Sequence, residues 1–351
     1  MKKRICRTAA AILAAAVFLL IPVQAEPTIS ASSAIVLDGA TGRILWEHNA
    51  REQALIASTT KIMTGLLVTE LCDLQAEVSV PSAAVGVEGS SLYLKEGEVL
   101  SVEALLYGMM LHSGNDAAAA LAIYCAGSIP EFAEKMNSKA AELGLKQTHY
   151  ANPHGLDSEE NYSTAYDLAV LTAYAMNNPE FHQVVSCKSA VFGSRRFTNH
   201  NKLLWRYEGA VGVKTGYTKS AGRILVSCAE RGGRRLIAVT INDPCDWEDH
   251  CRMLDYGFSA YEDRVMADQG EILARVPVIG GAEDGVDAVT DQSLSVPLAE
   301  GEQVELRCEL PAFVYAPVLA GEQAGWLSVW VNGVKTVRVP LYWRYTVMEG
   351  A

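Results

Sequence analysis

Three short polar clusters hold the residues of this chain whose types and spacing can do chemistry. The first is Ser58-Thr59-Thr60-Lys61, at the head of a stretch with helical apolar spacing from Ile56 to Glu70. Residues three apart share a helix face, so a lysine amine can reach the serine hydroxyl. The free backbone N–H groups and positive end of a helix start favour negative charge growing on that serine. The lysine can take the serine proton only where desolvation or a nearby positive charge lowers its pKa. The second cluster, Ser113-Gly114-Asn115, interrupts helical sequence and offers a hydroxyl to relay a proton and an amide to hold a peptide bond. The third, Lys214-Thr215-Gly216, ends a strand-like run. Its lysine and hydroxyl can grip a carboxylate by charge-assisted hydrogen bonds, and Gly216 lets a substrate backbone come close.

Taken singly, each cluster has an ordinary structural explanation: a helix cap with a solvated lysine, a helix break, a strand end with a turn. Their order and settings together point to acyl transfer through a serine. The seven histidines are scattered, with no His-Glu-x-x-His. A lysine base makes a Ser-His-Asp triad unnecessary. His112 and His200 are the two histidines flanked by chain segments of the motifs.

The elements that must position these residues are mixed. Ser33 to Asp38 and Arg43 to Glu47 read as a hairpin around Gly39-Ala40-Thr41-Gly42. Helical spacing follows over Ile56 to Glu70, Val102 to Leu111, Asp116 to Tyr124, Ile129 to Leu143 and Ala165 to Met176. Strand patterns return at Gly209 to Thr215, Arg223 to Glu230 and Arg234 to Ile241, and Asp246 to Phe258 reads as a helix. Helices are thus inserted within a sheet that opens and closes the first domain. After Tyr261 the composition shifts to β-type runs between Gly, Pro and acidic turns, with no plausible helix. The expected class is α+β with a C-terminal all-β domain.

In this order and setting the chain resembles the D-alanyl-D-alanine carboxypeptidase family of low-molecular-mass penicillin-binding proteins, from Ala34 to about Leu341. The family set is Ser-x-x-Lys, Ser-x-Asn and Lys-Thr-Gly. The likeness extends through Asn152-Pro153-His154-Gly155-Leu156 and Tyr162-Ser163-Thr164-Ala165-Tyr166-Asp167. It implies a serine D,D-peptidase catalytic domain over residues 26–262 and a β-sandwich-like domain over residues 266–345. It implies that Ser58 is the acylated nucleophile, Lys61 the general base and Ser113 a proton relay. Asn115, Lys214, Thr215 and Gly216 would bind substrate, and the backbone N–H groups of Ser58 and Tyr217 would form the oxyanion hole. The partners it implies are peptidoglycan stem peptides, with β-lactams as inhibitors. No cofactor or metal is implied. Asn161 stands where family members often have His. The Leu341-Tyr342-Trp343-Arg344-Tyr345 run is too short for the amphipathic membrane helix the family commonly carries, so no firm anchor is expected.

Bulk composition agrees with an exported globular enzyme. Lys2, Lys3, Arg4 and Arg7 precede an apolar run from Ala9 to Ile21, and Val23-Gln24-Ala25 is a small-residue cleavage pattern. Residues 1–25 therefore read as a secretory signal. The formal charge is −12; without the four basic residues of that segment it becomes about −16, which disfavours nucleic acid. An anionic substrate would need a local positive pocket. Seven cysteines beyond Cys6, irregularly spaced, do not read as a disulfide framework, and Cys72, Cys125 and Cys228 read as small core residues. Cys245, His250 and Cys251 match no usual zinc spacing. Two other functions fit parts of the pattern. A class A β-lactamase would need an activating glutamate, and Glu159 and Glu160 lack its sequence context. A non-catalytic penicillin-binding sensor would not need Ser58, Lys61 and Lys214 intact.

Overall fold

The computed structural model describes residues 25–350, so the signal reading at residues 1–25 falls almost wholly outside the described residues. Five antiparallel strands form the main sheet: β1 (Ser33–Asp38), β2 (Ile44–His48), β3 (Ala210–Thr218), β4 (Gly222–Arg231) and β5 (Arg234–Ile241), in the order β2-β1-β5-β4-β3. All six residues of β1 are buried, because both sheet faces are covered. Ile35, Leu37, Ile224, Val226, Ile237 and Val239 pack toward the inserted helices. Ala34, Val36, Leu225, Leu236 and Ala238 pack against Met253 and Leu254 of the helix that follows β5. Alternate side chains point to opposite faces, so a strand covered twice reads as one apolar run.

The insertion between β2 and β3 carries α1 (Lys61–Leu71), α2 (Val102–His112), α3 (Asn115–Ala126), α4 (Ile129–Glu142), α5 (Ala165–Ala175), α6 (Pro179–Ser186) and the short α7 (Leu203–Arg206). The first eight residues of α3, Asn-Asp-Ala-Ala-Ala-Ala-Leu-Ala, are all buried. A helix running through the middle of a bundle has no solvent face, and alanines let its neighbours approach. The sequence reading omitted α6, although Asn178 caps it and Pro179 begins it. After β5, α8 (Asp246–Ser259) closes the outer face of the sheet.

One expectation is corrected. Cys72, just past the end of α1, and Cys125, near the end of α3, form a disulfide with Cα atoms 6.5 Å apart. The two helices end side by side, a proximity that positions 53 residues apart did not reveal. Five unpaired cysteines and the odd total disguised the pair. Cys187, Cys228, Cys245, Cys251 and Cys308 are free, and only Cys228 among them is buried. His250 bonds the hydroxyls of Ser227 (2.6 Å) and Thr240 (3.0 Å) through its two ring nitrogens, so both are already occupied.

The C-terminal part is all-β, as expected. A two-stranded sheet pairs β6 (Glu262–Ala267) with β9 (Leu294–Leu298). A six-stranded sheet also contains β7 (Ile272–Ile279), β8 (Gly285–Val289), β10 (Val304–Glu309), β11 (Val314–Tyr315), β12 (Gln323–Val331) and β13 (Val334–Trp343). Its core is separate, built from Val286, Leu327, Val329, Leu341 and their neighbours. The aromatic run near residue 341 is part of this domain: Leu341, Trp343 and Val347 are buried, and Val347 bridges to Val318. Among the described residues no helix is long and apolar enough to cross a membrane.

The disulfide fastens the helix that begins with Lys61 to the helix that begins with Asn115. Replacing Cys72 and Cys125 together by serine is expected to lower the unfolding free energy by about 2–4 kcal/mol. Urea denaturation of the oxidised protein and the double variant measures it; matching midpoints would show that the link adds no stability.

Candidate active site

Ser58 lies in a 3-10 turn, Ala57–Thr60, that runs directly into α1. The expected helix start is therefore split into a tight turn and an α-helix. Ala57 has φ 44°, a left-handed conformation that costs an alanine energy. Gly155 explains how the turn is held. Its backbone packs so closely on Ala57 that an added Cβ would overlap the Ala57 carbonyl oxygen, and its own φ of +87° suits glycine.

Lys61 is completely buried. Its Nζ lies 3.0 Å from Ser58 Oγ, 2.7 Å from Asn115 Oδ1 and 2.6 Å from the His154 carbonyl oxygen. The latter two can only accept. A neutral amine has two N–H donors and one lone pair. The two acceptors take both donors, which leaves the lone pair for the Ser58 hydroxyl. Burial lowers the Lys61 pKa well below its ordinary value, the Lys214 charge lowers it further, and Asp116 opposes them.

Ser113 ends α2 in the left-handed region, with φ 65°, and Asn115 begins α3. The reversal aims both side chains into the same space. Asn115 Nδ2 donates to the Glu88 carbonyl at 2.5 Å, so its amide oxygen is fixed toward Lys61. The neighbouring Asp116 is buried and accepts from Ser91 Oγ (2.7 Å) and the backbone N–H groups of Leu92 (2.9 Å) and Leu94 (3.1 Å). It fastens the loop at residues 88–94 beside the Ser-Gly-Asn turn.

Lys214 comes from β3, the edge strand of the main sheet. It is buried, and its Nζ donates to Ser113 Oγ at 3.1 Å and to the Thr215 carbonyl at 2.9 Å. Burial lowers its pKa to about 7. Gly216 lies against the serine turn: a Cβ built there would be 3.3 Å from Ser58 N and from Ala57 Cβ. Tyr217, next along, is 65% exposed at the rim. The structure thus brings Ser58, Lys61, Ser113, Asn115, Lys214, Thr215, Gly216 and Tyr217 around one place. A cleft of about 340 Å³ opens there, with Ser58, Ser113 and Thr215 in its wall.

Several contributors were not singled out from sequence. They are the His154 carbonyl, Gly155 and Asp116; Asn161 was noted only as a departure from the family. Asn161 donates to Thr60 Oγ1 at 3.1 Å and braces the turn from behind. His200 lies in the cleft wall, and burial, Lys214 and His112 lower its pKa to about 4. His154 is lowered to about 4 by burial and by Lys61. Both rings are neutral near pH 7. Glu159 and Glu160 are exposed, so neither sits as the buried water-activating glutamate of the β-lactamase reading.

A serine hydroxyl within hydrogen-bond reach of a buried lysine whose pKa is lowered by that burial, between an inserted helical bundle and a sheet edge, is the arrangement of an active-site serine hydrolase. The sequence profile described as D-alanyl-D-alanine carboxypeptidase matches residues 22–245, and that described as Penicillin-binding protein 5, C-terminal domain, matches residues 261–349. D-alanyl-D-alanine carboxypeptidase DacF of Bacillus subtilis is 33% identical, over 89% of this chain and 84% of its own length. DacD of Escherichia coli is 34% identical, over 93% and 89%. Penicillin binding protein 5 from Haemophilus influenzae superposes with a TM-score of 0.81 at 29% identity, covering 93% of this chain and all of that one. The chain belongs to the D-alanyl-D-alanine carboxypeptidase family, serine-type hydrolases of the penicillin-binding-protein kind.

A Lys61 that acts as base must be neutral to accept a proton, so acylation through it is expected to fall as pH drops through its pKa. Asp116 is the negative charge that holds that pKa up. Asp116→Asn is therefore expected to move the acid limb of the acylation rate to lower pH. Stopped-flow acylation across pH measures it. A slower plateau with an unmoved limb would leave Asp116 only the fastening of its loop.

Proposed function

We propose that the enzyme removes the terminal D-alanine from peptidoglycan stem peptides through an ester on Ser58. The carrying observation is the buried Lys61 amine, 3.0 Å from the Ser58 hydroxyl, with the Asn115 and His154 oxygens placed to take two N–H groups, so that a neutral amine turns its lone pair to Ser58.

In the forward step Ser58 Oγ bonds to the carbonyl carbon of the penultimate D-alanine while Lys61 takes the hydroxyl proton. The backbone N–H groups of Ser58 and Tyr217 receive the oxyanion. An oriented donor of this kind is worth about 3–4 kcal/mol. When the C–N bond breaks, the departing amine needs a proton, and Ser113, bonded to Lys214, relays it. Water then repeats the sequence on the ester and returns Ser58 to its free form. Lys214 and Thr215 hold the terminal carboxylate, and Asn115 orients the substrate amide. A carboxylate beside Lys214 favours its charged form and raises its pKa again. A β-lactam amide opens by the same first step, but its amine stays tethered to the acyl group, so deacylation is obstructed.

The chain divides as residues 1–25, an export signal removed outside the cytoplasmic membrane; residues 26–262, the catalytic domain; and residues 266–345, the β domain. N-terminal sequencing of the exported protein should begin at Glu26. An exported protein that retains Met1 would make the first segment an anchor.

One experiment tests the activity. An acyl-D-Ala-D-Ala peptide should release D-alanine, its C-terminal amide should react at least about 100-fold more slowly because Lys214 then lacks its anion, and penicillin should add its mass to the peptide containing Ser58. A label on another serine, or equal rates on acid and amide, would overturn the reading.

A further inference from the structure

One wall of the catalytic cleft has no part in the mechanism above. It carries Lys202, Arg223, Asp246 and Trp247. Strand register shows which part of a substrate would meet it. Thr215 lies opposite Leu225, and Tyr217 opposite Arg223. Residues directly opposite in an antiparallel pair share a face. Leu225 packs with Met253 and Leu254 of α8, so Thr215, Tyr217 and Arg223 lie on the α8 face. Lys214 lies opposite Val226, which packs with the helical bundle. The side of the cleft beside Thr215 therefore continues onto α8, away from Lys61.

The wall is a built surface. Arg223 forks the buried Asp246 carboxylate, with Nη2 at 2.8 Å and Nε at 3.1 Å; Nη1 takes part in neither bond. Asp246 also accepts from the Trp247 N–H at 2.9 Å, which fixes the first turn of α8. The Trp247 ring lies between two cations, with Arg223 Cζ and Lys202 Nζ each 6.0 Å from its centre. Arg223 and Asp246 neutralise each other. Lys202 is exposed and makes no salt bridge among the described residues, so its ammonium is free to meet an anion. Asp243 and Glu248 also act on Arg223, which leaves Lys202 as the unpaired cation of this wall.

We infer that Lys202, Arg223 and Trp247 form a subsite for the leaving residue, one that accepts C-terminal residues larger than alanine and prefers an anionic side chain to a cationic one. This rests on the reading that the terminal carboxylate is held by Lys214 and Thr215. With the carboxylate there, a side chain on the departing residue has the α8 face of the cleft beside it. Alanine leaves that space empty. A longer chain lies along the Trp247 ring and ends near Lys202. The bond broken, the proton transfers and the released amine are those of D-alanine release; only the departing residue differs.

The test compares acyl-D-Ala-D-Ala, acyl-D-Ala-D-Glu and acyl-D-Ala-D-Lys on wild type and on Lys202→Glu, reading each released amino acid. Penicillin labelling of the variant confirms that its serine site is folded. Wild type is expected to cleave the D-Glu peptide with kcat/KM about 5–10-fold above the D-Lys peptide, and Lys202→Glu to abolish or invert that ratio, as expected for a reversed charge at a partly solvated site. A wild-type preference for D-Lys, a ratio unmoved by the substitution, or no cleavage of either peptide while D-Ala-D-Ala is cleaved would overturn the subsite. Failure on acyl-D-Ala-D-Ala itself would instead overturn the carboxypeptidase reading on which it rests.

Discussion

The proposed mechanism depends on keeping one amine uncharged. A lysine in water is protonated near pH 7 and cannot take a proton from serine. Burying Lys61 removes the water that would stabilise its charge, and the Lys214 cation adds repulsion. Burial alone would leave polar hydrogens without partners, a cost that a folded protein avoids. The Asn115 amide oxygen and His154 carbonyl supply those partners. They also set direction, because the remaining lone pair can point only at Ser58. The same two bonds thus satisfy a buried group and aim a base.

That requirement accounts for much of the surrounding backbone. Three chain segments distant in sequence must reach one nitrogen: the serine turn, the Ser-Gly-Asn reversal and the loop carrying His154. Each makes its approach through an unusual conformation. Ala57 and Ser113 have positive φ, and Gly155 presses against Ala57 where no side chain would fit. Strain of this kind persists when packing over-determines it. Here Asn161 braces Thr60 from behind, Asp116 fastens the loop beside Asn115, and the Cys72–Cys125 link joins the two helices at their far ends. A preorganised base therefore rests on groups that never touch a substrate.

The sequence disclosed the residues whose chemistry is in their side chains. Ser58, Lys61, Ser113, Asn115 and Lys214 form motifs with local spacing, and helical or strand periodicity locates them. The doubly covered strands and the all-β C-terminal domain were legible for the same reason. What stayed hidden acts through the backbone or across long separations. The His154 contribution is a carbonyl, which every residue possesses, so no side-chain type signals it. Gly155 matters by lacking a side chain. Asp116 looked like part of a helix start, and its bonds run to residues more than twenty positions earlier. The disulfide depended on two helices ending together, which no periodicity encodes.

Charge links the site to the rest of the molecule. A strongly acidic chain gains no general attraction for an anionic peptide, so recognition must be local. In the proposed mechanism Lys214 provides it conditionally. Burial brings its pKa to about 7, so in the empty site near neutral pH its charge is not fully maintained. A carboxylate arriving beside it favours the protonated form, and the resulting pair satisfies both buried groups. The restored cation then maintains the repulsion that keeps Lys61 neutral. Two lysines in one low-dielectric space cannot both be charged cheaply, and the substrate's own anion decides which of them is. Recognition of the peptide terminus and readiness of the base are in this way one electrostatic event.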